Sequence, residues 1–201
     1  LATYANDGIP ATIAVDTECS VTQLLDKAMQ TYAEKPAFHC AGRTLTFSDV
    51  DRLSGAFCAY LQVKLGVKKG DRVAVMLPNV DAFPVALCGI LRAGAVQVNV
   101  NPLYTPRELS HQLNDSGATI LVIFDAALPT LAQIAGKTVV QTVIRVSAPG
   151  GGTSMVLSEG VIDFEEALET GSRLQRTPVA VSGDDLIFLQ YTGGTTGPSK
   201  G

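Results

Sequence analysis

The stretch that most constrains this chain is residues 72–77, Arg-Val-Ala-Val-Met-Leu, an apolar run without alternation. Such a run is expected of a strand buried on both faces, because alternation marks a sheet with one wet face. Pro78-Asn79 breaks it. Residues 81–93 read as a helix with Pro84 in its first turn, closed by Gly94. Strand 95–100 follows, stopped by Asn101-Pro102. Thr105-Pro106-Arg107-Glu108 is a helix start: Thr caps, Pro takes the first position and Glu completes the box. That helix ends near Gly117. Residues 119–124 are a third apolar strand, 131–135 a short helix and 142–146 a fourth strand. Strands and helices alternating over short connections predict an α/β fold, a mainly parallel sheet flanked by helices with right-handed crossovers. Ligands on such sheets bind beyond the carboxyl ends of the strands.

Upstream, residues 1–19 show neither a helical nor a strand period and read as an arm. Ser20 and Gln23 form a capping-box pattern, and Val21, Leu24, Leu25, Ala28 and Tyr32 make one apolar stripe behind it. Short strands at 37–40 and 44–47 flank a hairpin-like turn at Ala41-Gly42-Arg43. A helix over 48–65 turns Val50, Leu53, Phe57, Leu61 and Leu65 inward, and Gly66 ends it. Downstream, 147–160 is an irregular surface loop. Asp163 and Glu166 cap a short helix that stops at Gly171, and 172–182 is a linker. The expected organisation is an arm (1–19), an α/β subdomain (20–171), the linker, and a closing strand with its loop (183–201) that begins a further part.

Hydrophobic residues make up 46% and charged residues 17%, so a packed core is expected and disorder is not. The net charge of −4 and the absence of any basic run beyond Lys68-Lys69 argue against a nucleic-acid binder. The four cysteines form no C-x-x-C pair and read as reduced, mostly buried thiols of a cytosolic protein. His39 abuts Cys40, but strand neighbours point to opposite faces, so a zinc site is not expected there. Residues 1–10 lack the basic and apolar regions of a signal peptide. The apolar stretch 82–91 falls short of the about 20 apolar residues a bilayer span needs.

The strand after the linker, Asp184-Asp185-Leu186-Ile187-Phe188-Leu189-Gln190, opens into Tyr191-Thr192-Gly193-Gly194-Thr195-Thr196-Gly197-Pro198-Ser199-Lys200-Gly201. Glycines let backbone N–H groups approach an anion, hydroxyls donate to phosphate or ligate Mg²⁺, and lysine adds a point charge. It is not a Walker A loop: from Gly193 the second glycine of that motif falls on Pro198, and from Gly194 on Ser199. On composition alone, a Gly/Ser/Thr turn with one solvated lysine is the simpler reading.

The literal string resembles the phosphate-loop signature of the AMP-forming acyl-CoA synthetases, in the adenylate-forming superfamily. Leu45-Thr46-Phe47-Ser48-Asp49-Val50 and residues 70–79 are similar to earlier blocks of that family. Residues 91–109, with Asn101-Pro102-Leu103-Tyr104-Thr105-Pro106-Arg107-Glu108, look most like its bacterial long-chain fatty-acid CoA ligases. The resemblance implies the large N-terminal domain of an adenylate-forming enzyme. It also implies a two-step reaction with ATP, Mg²⁺, a fatty acid and CoA. By this likeness Thr192, Gly193, Gly194, Thr195, Thr196, Gly197, Ser199 and Lys200 hold phosphate, Thr192 also helps to hold Mg²⁺, and Lys200 is the catalytic cation. Asn99, Asn101 and Tyr104 remain open between a substrate role and strand-end packing, and Arg107 and His111 are most simply exposed helix residues. The family's adenine strand, second Mg²⁺ carboxylate, ribose-binding Asp, hinge and C-terminal lysine have no counterpart here. The chain is therefore expected to be a fragment, inert alone, of a cytoplasmic enzyme peripheral to the inner membrane face; residues 1–19 stay open between a frayed terminus and an arm that joins a homodimer, as the resemblance implies. An aryl-CoA ligase or an amino-acid adenylation domain is the neighbouring alternative. A non-catalytic nucleotide-binding or interaction module is the alternative of another class.

Overall fold

The computed structural model describes residues 19–148, 160–192 and 201. Helix α1 (Val21–Thr31) leads into a hairpin of β1 (Pro36–Cys40) and β2 (Arg43–Thr46), whose turn places Ala41 and Gly42 at φ 48° and 81°. Helix α2 (Phe47–Val63) follows, then β3 (Arg72–Met76), α3 (Ala82–Arg92), β4 (Val96–Asn99), α4 (Pro106–Ser116) and β5 (Ile120–Phe124). A 3₁₀ turn (Asp125–Ala127), α5 (Leu128–Ala132), β6 (Thr142–Val146), β7 (Val161–Asp163), α6 (Phe164–Ser172) and β8 (Phe188–Gln190) complete the order.

Six strands form one sheet in the order β7-β6-β5-β3-β4-β8, and every pair in it is parallel. The alternation of strand and helix forces this, since a parallel neighbour is reached only by a crossover. From β3 the chain moves through α3 to β4, and from β4 it returns through α4 past β3 to β5. Side chains on one face of the sheet (Val73, Val75, Val122, Ile144) pack with α2, α3 and α6. Those on the other (Ala74, Met76, Val98, Leu121, Ile123) pack with α4 and the start of α5. The loops leaving β3 and β4 therefore part to opposite faces, and a crevice opens at the strand ends.

The local signals hold. Ser20 and Thr105 cap their helices in complete boxes with Gln23 and Glu108, and Thr46, expected inside a strand, makes a third such box with Asp49. Gly117 closes α4 at φ 65°, a left-handed position glycine occupies without strain. Inward Val50, Phe57 and Leu61 are buried, and α2 carries Ala56, Cys58 and Ala59 inside as well because α3 and α6 both pack on it.

Several expectations are corrected. The stripe on α1 is rotated: Val21, Leu24 and Tyr32 are exposed, and Met29 is the buried residue of the helix. The inward face also carries Asp26, which accepts from Arg92 Nε at 2.9 Å and Nη2 at 2.6 Å. Arg92 Nη2 also meets Asp51 at 2.5 Å, so one buried guanidinium ties α1, α2 and α3 together. The short helix expected over 131–135 lies at Leu128–Ala132, drawn back by the turn that β5 runs into. Phe47 begins α2 rather than ending β2. Asp163 caps α6 through Glu165 N, and Glu166 completes no box. Gly171 does not stop α6: it sits inside the helix where α2 passes, with room for no Cβ. Cys58 and Cys88 are buried as expected, but Cys19 and Cys40 are only half-buried. The loop over 147–160 lies mostly outside the described residues, as do residues 1–18 of the arm.

Candidate strand-end site

Residue 187 already meets β4, since Gln97 N donates to Ile187 O at 2.9 Å. Phe188, Leu189 and Gln190 then pair with Gln97, Val98 and Asn99. The approach to this strand is pinned by Lys69, whose ammonium sits 2.8 Å from Asp185 and 2.9 Å from Ala180 O. That hydrogen bond, with a further one from Ser182 N, holds the Asp185 carboxyl below the usual carboxylate range. Gln62 clasps the linker by exchanging two 2.9 Å bonds with Thr177.

Beyond the strand ends lies a hollow of about 420 Å³ lined by Asn99, Val100, Asn101, Tyr104, Gln190 and Tyr191. Two of its walls come from carboxamides in series. Gln97 Nε2 donates to Asn99 Oδ1 at 2.6 Å, and Asn99 Nδ2 donates to Gln190 Oε1 at 2.7 Å. Parallel register puts these three side chains on one face in adjacent strands. On the other face Gln112 Nε2 donates to Asn99 O at 2.7 Å. Gln97 and Gln112 are fully buried, and their Oε1 atoms have no hydrogen-bond partner among the described residues. Asn101 Oδ1 accepts from Leu103 N at 3.0 Å and shapes the turn into α4.

Tyr191 is buried, and its hydroxyl donates to Asp115 Oδ2 at 2.6 Å. Burial first, then that bond and the Asp115 charge, push the phenol up to about 12, so it is a proton-bearing donor at neutral pH. Thr192 follows at once and is exposed. Gly193, Gly194, Thr195, Thr196, Gly197, Ser199 and Lys200 lie outside the described residues. Chemically the hollow offers amide and phenol donors and uncharged acceptors, suited to a polar ligand held by hydrogen bonds rather than to proton transfer. Among the described residues no group of three His, Cys, Asp or Glu side chains could hold a metal. Thr192 supplies one hydroxyl oxygen, which suits Mg²⁺ because that ion keeps most of its ligands as water and phosphate oxygens.

Of the residues singled out in the sequence, Asn99, Asn101 and Tyr104 meet in this hollow beside Gln190 and Tyr191. Arg107 and His111 do not. They line a separate groove of about 720 Å³ with Ser110 and Lys137, and Arg107 is exposed while His111 is half-buried. Gln97, Gln112 and Asp115 were not foreseen. A glutamine inside an apolar strand run was the one available signal for Gln97. Nothing local marks Asp115.

The chain matches the family model described as AMP-binding enzyme over residues 25–201. It is 46% identical over 211 aligned positions to a long-chain-fatty-acid–CoA ligase of Salmonella typhimurium, covering 96% of this chain and 38% of that one. The solved structure of a long-chain-fatty-acid-CoA ligase from Archaeoglobus fulgidus superposes with a TM-score of 0.74 at 26% identity, over 93% of this chain and 37% of that chain. An anthranilate CoA ligase in complex with anthranoyl-AMP superposes with a TM-score of 0.80, over 92% of this chain and 34% of that one. Its 22% identity makes this a likeness of fold. The chain thus spans little more than a third of the length of these relatives.

Proposed function

Because the chain belongs to the AMP-binding enzymes, we propose that it is the N-terminal part of a long-chain fatty-acid CoA ligase. The identity of 46% to a ligase of that name, carried across nearly the whole chain, supports the choice of acid over an aryl or amino-acid substrate. In this reading a fatty-acid carboxylate oxygen attacks the α-phosphorus of ATP, and pyrophosphate leaves with the displaced bond's electrons. The CoA sulfur then attacks the acyl carbonyl of acyl-AMP, and AMP leaves. The difficulty of the first step is anion meeting anion, which fixed donors and cations relieve.

The chain's own part is to bind and orient the triphosphate. In sequence, segment 193–200 comes after Tyr191 and Thr192, which continue from the carboxyl end of β8, the end at which parallel sheets take ligands. Backbone N–H groups of Gly193, Gly194 and Gly197 and the hydroxyls of Thr195, Thr196 and Ser199 would donate to β- and γ-phosphate oxygens. Lys200 would neutralise their charge. Thr192 would place one oxygen on Mg²⁺, which when bound supplies further charge neutralisation. The division into arm, α/β subdomain to residue 171, linker and strand with loop belongs to the same proposal. So do a cytoplasmic location with peripheral contact at the inner membrane face, and a homodimer built through residues 1–19. No helix among the described residues is long and apolar enough to cross a membrane.

The test is ATP–pyrophosphate exchange by the full-length enzyme that carries this chain. Lys200→Ala and Thr192→Ala should each slow it by about 10²–10³. Wild-type exchange in both variants would reject the assignment. The 201-residue chain alone, given ATP, Mg²⁺ and a fatty acid, should release no pyrophosphate above background.

A further inference from the structure

Residues 173–187, between α6 and β8, form neither helix nor strand. Among the described residues no backbone–backbone hydrogen bond joins 175–186 to the rest of the domain, and the first one comes at Ile187. Side chains hold the segment instead. Gln62 of α2 clasps Thr177 through two 2.9 Å bonds. Val179 lies over Gly94, where a Cβ would stand 2.7 Å from Val179 Cγ1 and 3.3 Å from Lys69 Cβ. Lys69 donates to Ala180 O at 2.9 Å and to Asp185 at 2.8 Å. Asp185 also accepts from Ser182 N at 2.7 Å and from Ser182 Oγ at 3.2 Å, so one carboxylate closes the turn before β8 and takes the lysine. Beyond that turn β8 is an edge strand, paired through three residues to β4 alone. At its far end the Tyr191 ring is buried and its hydroxyl donates to Asp115.

We infer that residues 173–191 are a strap that leaves the sheet edge and returns to it as one unit, with Lys69 as its latch. The swing carries Gln190 and Tyr191 away from Asn99, Asn101 and Tyr104, so it opens and closes the strand-end hollow. A segment with few backbone bonds to its neighbours opens at a lower cost than the whole domain unfolds, and β8 has sheet bonds on one side only. A latch built on an ion pair suits reversible release. The Lys69 and Asp185 side chains are 45% and 27% exposed, so water and salt compete for both charges. Gln62, by contrast, holds the strap through uncharged bonds at Thr177, well before Phe188 in sequence. A strap that moves as one unit transmits the loss of that clasp to β8, whereas an edge strand that frays alone does not.

The experiment is hydrogen exchange followed by mass spectrometry on the full-length enzyme that carries this chain, reading peptides over 186–191 and, as reference, over β3 and β5. Gln62→Leu and Lys69→Met should each speed exchange at 187–190 by about three- to tenfold, the effect of losing one or two partly exposed bonds. β3 and β5 should keep their wild-type rates. Raising salt from about 0.05 to about 0.5 M should speed exchange at 187–190 in wild type and leave Lys69→Met unchanged, because exposed charges are screened. Nitration of Tyr191 by tetranitromethane, read on its peptide, should rise in both variants along with exchange, since the ring must leave its buried seat to meet the reagent. Unchanged exchange at 187–190 in Gln62→Leu would show that β8 frays alone and would overturn the strap. So would an equal rise in β3 and β5, which marks loosening of the whole domain. A salt effect undiminished in Lys69→Met would overturn the latch, and faster exchange without faster nitration would overturn the link to the hollow.

Discussion

Three glycines inside helices make the packing of the helical layer testable by one substitution, because the space at each differs. A Cβ on Gly55 would meet Arg92 Nη1 at 3.8 Å and Arg176 Nε at 3.9 Å, ordinary contacts. A Cβ on Gly89 would meet Phe57 Cδ1 at 2.8 Å and Ser54 O at 3.1 Å. On Gly171 it would stand 2.0 Å from Ala56 O and 2.8 Å from Ala56 C, atoms of a helix backbone that no rotamer change can move. Alanine in place of glycine gains about 0.4–1 kcal/mol by restricting the unfolded chain where the native site accepts it. Gly55→Ala should therefore stabilise by about that much. At Gly171 the same gain is overwhelmed. Inserting a methyl into filled space costs about 1–3 kcal/mol when side chains can adjust, and more when they cannot. Relieving a 2.0 Å approach means moving α6 bodily off α2, so a net loss of about 2–4 kcal/mol is expected. At about 2–4 °C per kcal/mol for a domain of this size, Gly171→Ala should melt roughly 5–15 °C below wild type. Gly55→Ala should melt at or slightly above it, and Gly89→Ala between the two. Thermal unfolding followed by circular dichroism reads all three. Equal melting temperatures for Gly55→Ala and Gly171→Ala would refute the claim that α2 and α6 touch backbone to backbone.

The Arg92 hub should be asymmetric. Arg92 is 3% exposed at its side chain while Asp26 and Asp51 are 35% and 51% exposed, so removing both acids strands a buried charge and should cost about 3–5 kcal/mol in denaturant titration, well above Arg92→Met. Burial pushes Cys58 and Cys88 up to about 11, so Ellman's reagent at pH 8 should modify only Cys19 and Cys40 in the folded chain and all four thiols in guanidinium. The hydrogen bonds from Thr46 hold Asp49 below its ordinary value. A carboxyl depressed in the folded state stabilises above its unfolded pKa and loses that contribution as pH falls through the folded one. Acid unfolding should therefore be less steep below about pH 4 in Asp49→Asn, which a pH series of melting curves checks.

Local chemistry was legible in the sequence and distant chemistry was not. The box at Thr46 was hidden by reading 44–47 as a strand, whereas the boxes at Ser20 and Thr105 each close within three residues, so reading them needs only a short window. The unalternating run at 72–77 was sound for the same reason, since burial on both faces leaves its mark on consecutive residues. The face of α1 was misread because apolar counting assigns Asp26 to solvent, whereas its partner Arg92 lies 66 residues away. β7 was missed because three residues carry too little pattern, and it exists through its register with Val143, Ile144 and Arg145. Gly171 read as a terminator because glycine ends helices and also admits close neighbours, and only the path of α2 decides between the two.

The site divides along the same line. The string from Tyr191 to Gly201 can be read linearly, whereas the contacts that hold its first residue come from residues that say nothing in sequence. Asp115 ends no motif and belongs to no pattern, and it meets Tyr191 across 76 positions. Asn99 looked like the polar end of a strand, and its amide turns out to hold Gln190 in the next strand. Gln97 was passed over as one polar residue in an apolar run, although a fully buried amide must find partners and so points to a polar row beside it. Edge strand β8 has only three residues in the sheet, too few backbone bonds to fix its carboxyl end unaided. The amides and the phenol supply that restraint from the two faces. They are therefore the residues at which a change would loosen the carboxyl end of β8.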